Sequence, residues 1–181
     1  IVSGGSVGAE IDQALFEADA VARRYPYQAR PPAREAVNDG SVAFSDRHIS
    51  SLGDEVEFGG LVDPDVAIVE AVAVGEDWLI PSTSVGHTHA YVDSVDRLIV
   101  EVNHAQPTSL ASFHDLYRLA QPPTREPVPL SDPGERIGDA RIKFDPDALV
   151  SVVETDRRDE SYKFRDPTDE DQAIAANLQS F

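Results

Sequence analysis

The stretch Val66–Val74, reading Val-Ala-Ile-Val-Glu-Ala-Val-Ala-Val, constrains the fold most. Eight of its nine side chains are apolar and five are β-branched. It is too short to span a bilayer, which takes ~20 apolar residues. It also lacks the polar alternation of a strand with one wet face, so it predicts a strand buried on both faces, as in a parallel sheet. A second apolar run, Leu98–Val102, ends at Asn103. Between the two lie a turn at Gly75-Glu76-Asp77, a short extended piece at Trp78–Pro81, and Thr83-Ser84-Val85-Gly86 leading into a helix over His87–Ser94. Strand, crossover and strand make a βαβ unit with a right-handed connection. The expected fold class is therefore α/β: an open, mostly parallel sheet with flanking helices. Ligands of such sheets sit beyond the carboxyl ends of the strands. That rule puts Gly75, Ser84–Gly86 and Asn103–Pro107 beside a binding edge.

The flanking segments are less regular. Ser3–Gly8 is a Gly-rich turn. Ala9–Arg24 follows as a predicted helix with Ile11, Leu15, Ala18 and Ala22 on one face, ended by Tyr25-Pro26. A short helix is expected over Ala33–Asn38 and a short strand over Val42–Ser45. The proline-rich stretch Gln121–Pro129 suits neither helix nor central strand. Leu149–Val153 predicts a further strand and Asp156–Asp166 a charged loop. Thr168 with Asp171 at the capping-box distance starts a last helix, whose apolar face is Ile174, Ala175, Leu178 and Phe181. The chain opens without methionine and stops inside that helix, so the expectation is a segment of a longer reading frame.

Charge narrows the partners. The net charge is −18, and the only lysines are Lys143 and Lys163. Nucleic acid and anionic membranes repel such a chain, so neither is an expected partner. The absence of cysteine removes disulfides, thiolate zinc sites and a Cys nucleophile. Many carboxylates with scarce lysine suit a cytoplasm at very high salt, where the Debye length falls to about 3 Å at 1 M and self-repulsion weakens. An ordinary acidic, solvated surface is the other reading. No tightly bound cofactor is expected.

Among candidate groups, Ser84 precedes a helix. Its backbone can face an anionic or carbonyl ligand, or its side chain can cap the helix. It does not sit in a G-x-S-x-G elbow. His87 and His89 are two apart, so on a helix they diverge, and no metal site is expected. Glu70 and Glu101 interrupt apolar strands. Either serves as a general acid or base, or accepts hydrogen bonds from neighbouring loops. Ser3–Gly8 lacks the Lys-Ser/Thr of a P-loop. Arg136, after a Pro-Gly turn, suits a bidentate carboxylate contact or a surface ion pair.

Asp65–Ala71, Thr83–Gly86, Leu98–Asn103 and Ala105-Gln106-Pro107 together resemble the acetyl-CoA hydrolase/transferase family. The likeness continues through Phe113–Tyr117, Arg125-Glu126-Pro127, Arg136-Ile137-Gly138, Phe144-Asp145-Pro146 and Glu154–Arg157. It reaches back to Gly4–Gly8 and Arg47–Ser50. The resemblance implies a fold of the NagB/ribose-isomerase/CoA-transferase type, with residues 1–181 an incomplete part of the N-terminal domain. The nucleophilic glutamate then lies in a C-terminal domain outside this chain, so no catalytic nucleophile is assigned here. The implied chemistry runs through a glutamyl-CoA thioester, with acyl-CoA and a small carboxylate such as acetate or succinate as substrates. The implied assembly is a homodimer of the full-length enzyme. Ser84, Val85, Gly86, Asn103, Gln106 and Arg136 are the expected substrate- and CoA-binding wall. A non-catalytic or regulatory α/β module of the same fold is the alternative. A sugar-phosphate isomerase is disfavoured by the scarcity of lysine.

The composition generates a direct test. If the acidic surface is adapted to high salt, the thermal midpoint rises between ~0.1 M and ~2 M KCl, as screening shortens the Debye length from about 10 to under 3 Å. An unchanged or lower midpoint removes that reading.

Overall fold

The computed structural model describes residues 1–2, 10–26, 31–159 and 164–180. The expected Gly-rich turn at Ser3–Gly8 lies outside them, as does Phe181. The centre of the molecule is a five-stranded sheet. Its strands are β3 (Val66–Val74), β4 (Trp78–Pro81), β5 (Arg97–Asn103), β6 (Ile142–Lys143) and β7 (Leu149–Thr155), in the spatial order β6-β4-β3-β5-β7. Earlier in the chain, β1 (Arg23–Arg24) and β2 (Ala43–Phe44) form a separate parallel pair. The helices are α1 (Glu10–Glu17), α2 (Ala33–Asn38), α3 (Ile49–Glu57), α4 (Thr88–Asp93) and α5 (Asp169–Gln179).

The expected parallel unit is present. Strand β3 pairs with β5 in parallel from Val66↔Arg97 to Ala71↔Val102, and β5 pairs with β7 in parallel. Strand β4 pairs antiparallel with both β3 and β6, so only β4 runs against the other four strands of this sheet. The short extended piece at Trp78–Pro81 is thus a strand, formed by a tight hairpin. The Gly75 N–H donates to Trp78 O at 2.7 Å. A Cβ on Gly75 would come within 2.4 Å of the Trp78 ring, so the turn needs glycine for close approach.

The core lies on one face of this sheet. Ala67, Val69 and Ala71 of β3 pack with Leu98, Val100 and Val102 of β5, Leu79 of β4, Ile142 of β6 and Val92 of α4. The opposite face corrects the expectation of burial on both sides: Ile68 is 66% exposed and Val66 41%. Among the described residues nothing covers that face at the start of β3, and an all-apolar run alone does not report it.

Helix α3 is not anticipated by the sequence reading. Its Leu52, Gly53 and Val56 are buried, and a Cβ on Gly53 would sit 2.6 Å from His87 Nδ1. Glycine therefore lets α3 and the start of α4 approach closely. The His87 ring is fixed by a 2.5 Å contact from Nε2 to Ile49 O. The stretch Gln121–Pro129 is irregular, as expected. Arg125 ties it to α3 with a two-pronged contact to Asp54, Nη1 to Oδ2 at 3.0 Å and Nη2 to Oδ1 at 2.6 Å. Those hydrogen bonds hold the Asp54 carboxyl below the usual carboxylate range.

Helix α1 is shorter than expected. The Ala20 N–H donates to Leu15 O and the Asp19 N–H to Phe16 O, while Asp19 takes φ +52°. This paired closure around a left-handed residue ends the helix. The chain then extends into β1. The expected apolar face is also rotated: Ile11 is 66% exposed, whereas Asp12 is buried. Asp12 receives Arg24, itself 2% exposed, with Nη2 at 3.0 Å from Oδ1. Burial raises the Asp12 carboxyl and lowers the Arg24 guanidinium, and each charge offsets part of the other's shift. Helix α5 carries the anticipated capping box, with the Thr168 side chain accepting from the Asp171 N–H. Its Ile174 and Leu178 are 60% and 70% exposed.

The buried pair generates a stability prediction. Asp12→Ala strands the Arg24 charge and lowers unfolding free energy by about 3–5 kcal/mol. The double variant Asp12→Leu/Arg24→Met removes both charges and regains most of that loss. Chemical denaturation of the three proteins checks it; a double variant as unstable as Asp12→Ala overturns it.

Candidate functional site

Strands β3, β5 and β7, with the residue that follows β4, gather a cluster of polar side chains at one corner of the sheet. Glu70 and Glu101 are register partners on β3 and β5. Paired residues of neighbouring strands share a face, so the two carboxylates stand side by side on the face opposite the core. Like charges so placed are unfavourable, and each is met by its own donor. The Ser82 hydroxyl donates to Glu70 Oε2 at 2.6 Å, and Asn103 Nδ2 donates to Glu70 Oε1 at 2.6 Å. The Thr155 hydroxyl donates to Glu101 Oε1 at 2.7 Å.

Asn103 ends β5 and is 3% exposed. Its amide makes a saturated set of contacts. Nδ2 also donates to Arg157 O at 2.8 Å, and Oδ1 accepts from the N–H groups of Ala105 and Arg157, both at 3.1 Å. One side chain thus ties β3 to the loop after β5 and to the segment after β7. A second tie runs across the same corner, where the Thr83 hydroxyl donates to Asp159 Oδ2 at 2.8 Å.

The expected wall residues divide into two groups. Ser84 and Gly86 are exposed and Val85 and Gln106 half-buried at this edge. The Ser84 N–H reaches Ser82 Oγ at 3.4 Å, and Gly86 takes φ +40°. Ser84 does not cap α4 with its side chain; the cap position is His87, which makes no side-chain cap bond. Thr88 instead donates its hydroxyl back to Val85 O at 2.5 Å, closing the turn so that residues 84–86 face outward. Asn103, by contrast, faces inward as a tie.

Arg136 is exposed and engages a different loop. Nη1 donates to Ser112 O at 2.7 Å and Nη2 to His114 O, so two of its five N–H groups hold the 112–114 loop. That loop reaches the sheet through His114, whose Nε2 lies 2.7 Å from Pro81 O. Sequence reasoning missed Ser82, Thr155 and the 155–159 segment. Ser82 is fully buried and had one available signal, its position directly after a strand. Among the described residues no group of three or more metal-ligating side chains gathers, and no helix is long and apolar enough to cross a membrane.

Comparisons with known proteins give the chain's family. A family model described as acetyl-CoA hydrolase/transferase N-terminal domain matches residues 1–154. The chain is 36% identical over its whole length to a succinyl-CoA:acetate CoA-transferase of Clostridium kluyveri, covering 34% of that protein. It is 32% identical to a propanoyl-CoA:succinate CoA transferase of Escherichia coli, covering 100% of this chain and 37% of that one. An acetyl-CoA hydrolase of Yarrowia lipolytica is 34% identical over 97% of this chain and 34% of its own. The chain thus spans about a third of the length of the curated relatives it matches. Among solved structures, RipA from Yersinia pestis superimposes with a TM-score of 0.55 at 15% identity over 96% of this chain and 36% of that one. At that identity the likeness speaks for the fold.

The saturated Asn103 amide generates a mutational prediction. Asn103→Asp sets a carboxylate against Glu70 where a donor stood and removes both contacts made by Nδ2. The expected loss is about 2–4 kcal/mol at pH 7, the scale of unsatisfied buried polar groups with a charge involved. Thermal unfolding of the variant checks it, and an unchanged midpoint means that the network contributes nothing.

Proposed function

Because this chain belongs to the acetyl-CoA hydrolase/transferase family, we propose that the full-length protein moves coenzyme A from an acyl-CoA to a small carboxylate, or to water. Residues 1–181 form the non-nucleophile half of its active site within the N-terminal domain. The observation that carries this reading is the built carboxyl edge. Ser84 and Gly86 are exposed and Val85 and Gln106 half-buried on segments that Ser82 and Asn103 anchor to Glu70. Backbone N–H groups and a neutral amide suit the carbonyl and carboxylate oxygens on which negative charge develops during acyl transfer.

The chemistry that the family implies is covalent. A glutamate outside this chain attacks the acyl carbon of the thioester, and the C–S bond breaks to release CoA thiolate. The thiolate then attacks the glutamyl carbonyl of the mixed anhydride, displacing the product carboxylate and leaving a glutamyl-CoA thioester. In the transferase an incoming carboxylate attacks that thioester, expelling CoA thiolate and forming a new mixed anhydride. The thiolate then attacks the acyl carbonyl of that anhydride to give the new acyl-CoA and free the glutamate. In the hydrolase water attacks the thioester, releasing CoA and the glutamate. Division into two easier steps is the gain from covalent catalysis. The wall proposed here orients the acyl group and its carboxylate partner. Arg136 holds the 112–114 loop, which reaches the sheet where His114 meets Pro81 O. Acetate and succinate are the acceptors that we propose.

Borohydride treatment of the full-length protein incubated with acetyl-CoA tests the reading. A glutamate reduced to its alcohol, located by peptide mass mapping outside residues 1–181, is the expected result. Residues 1–181 alone release no CoA from acetyl-CoA. Trapping at Glu70 or Glu101, or CoA release by the 181-residue chain, overturns the assignment of this half as a wall.

A further inference from the structure

We propose that Glu70 is the positioning residue of this wall. The role rests on the reading of the carboxyl edge as the substrate face. Three observations converge on it. Both oxygens of the Glu70 carboxylate are engaged in short contacts with neutral donors, Ser82 and Asn103, each at 2.6 Å. A carboxylate so engaged is not presented as a nucleophile or as a proton carrier. The two donors stand where the segments carrying residues 84–86 and Gln106 begin, directly after β4 and at the end of β5. Glu70 also holds the first loop through its backbone, because its carbonyl accepts from the Ser82 N–H at 3.3 Å.

The consequence for geometry is specific. An amide side chain fits its site in either of two flips, and a carboxylate neighbour permits only the flip that points Nδ2 toward it. Glu70 therefore favours one orientation of Asn103, the one that also lets Nδ2 donate to Arg157 O. That orientation leaves Oδ1 facing the N–H groups of Ala105 and Arg157. Without the carboxylate, the amide loses its tie to β3, and the loop carrying Gln106 and the segment after β7 lose their anchor on that strand. The position is also a costly one for an acid, beside Glu101 in the same row of the sheet. Sheet stability alone gives no reason for placing two carboxylates there.

The test uses the full-length protein with Glu70→Gln, Glu70→Ala and Glu70→Asp. Glutamine can turn its carbonyl to Asn103 and its amide to Ser82, whose hydroxyl then reverses to accept. It therefore rescues: kcat/KM for CoA transfer or hydrolysis stays within about fivefold of wild type with an unchanged pH profile, whereas alanine loses about fiftyfold, a size typical of misplaced reacting groups. Aspartate keeps the charge but withdraws it by one methylene and behaves like alanine. Hydrogen–deuterium exchange gives the readout that does not depend on turnover. Residues 82–87, 103–107 and 155–159 stay protected in wild type and Glu70→Gln, and exchange faster in Glu70→Ala and Glu70→Asp while the core of β5 is unchanged. Glutamine as damaging as alanine in activity means that the charge or proton of Glu70 takes part in the chemistry, and this overturns the proposal. So does unaltered exchange in both alanine and aspartate variants. A wild-type protein that neither transfers nor releases CoA refutes the proposed activity, and the exchange comparison still decides the positioning role. If alanine does not fold, the contrast between aspartate and glutamine decides the matter in the same way.

Discussion

The parallel register between β3 and β5 is the constraint from which the rest of this structure follows. It aligns Ala67 with Leu98 and Val69 with Val100 on the buried face. By the same alternation it sets Glu70 beside Glu101 on the other face. A one-residue slip of either strand would turn its own carboxylate into the core and expose its own apolar set, Val69 on β3 or Val100 on β5. The apolar face therefore fixes the register, and the register places the acids. Once they are adjacent, their repulsion has to be offset locally, and Ser82, Asn103 and Thr155 supply the donors that do so. Those donors sit at the ends of three different strands. Offsetting one electrostatic penalty thus draws three loops to a single corner.

What is legible in the sequence is what is local. The β3 and β5 runs declare themselves through unbroken apolar stretches. Helix α5 is announced by Thr168 and Asp171, whose capping box involves only neighbouring residues. The carboxyl edge follows from topology, and with it the outward placement of residues 84–86. What stays hidden depends on partners far along the chain. Asn103 reads as a ligand donor at a strand end, yet its amide is used on Glu70, 33 residues earlier, and on Arg157, 54 residues later. Helix α3 carries an apolar pattern at Ile49, Leu52 and Val56, but Gly53 and two serines weaken it. That glycine is explained only by the His87 ring that it faces. Helix α1 reads too long because Ala18 and Ala22 continue its period; a single left-handed residue, Asp19, ends it. Arg24 is unreadable as a core residue, since nothing local marks which of two adjacent arginines turns inward to Asp12.

The two faces of the sheet obey different rules, and the difference bears on how a site is made. The core face is fixed by packing, where any apolar side chain of suitable volume serves. The other face is fixed at its carboxyl end by hydrogen bonds, where geometry and donor identity both matter. Ser82 and Asn103 are almost fully withdrawn from water, so their contacts with Glu70 act at lower effective dielectric than surface pairs do. A network of that kind is rigid when complete and costly when one member is missing. Such stiffness fixes the placement of the segments after β4, β5 and β7 relative to one another.

Charge gives the final step. A chain of net charge −18 repels anions through its bulk potential. Hydrogen bonds act differently, because their partial charges work at contact distance, whereas salt screens remote carboxylates beyond roughly 10 Å. Within this corner the carboxylates of Glu70 and Glu101 are met by Ser82, Asn103 and Thr155, and Asp159 is met by the Thr83 hydroxyl beside the turn. Their negative charge is spread into those hydrogen bonds. The same clamp that ties the loops together thus also offsets the charge of the acid that it engages, which is why a glutamate is compatible with this position in so acidic a protein.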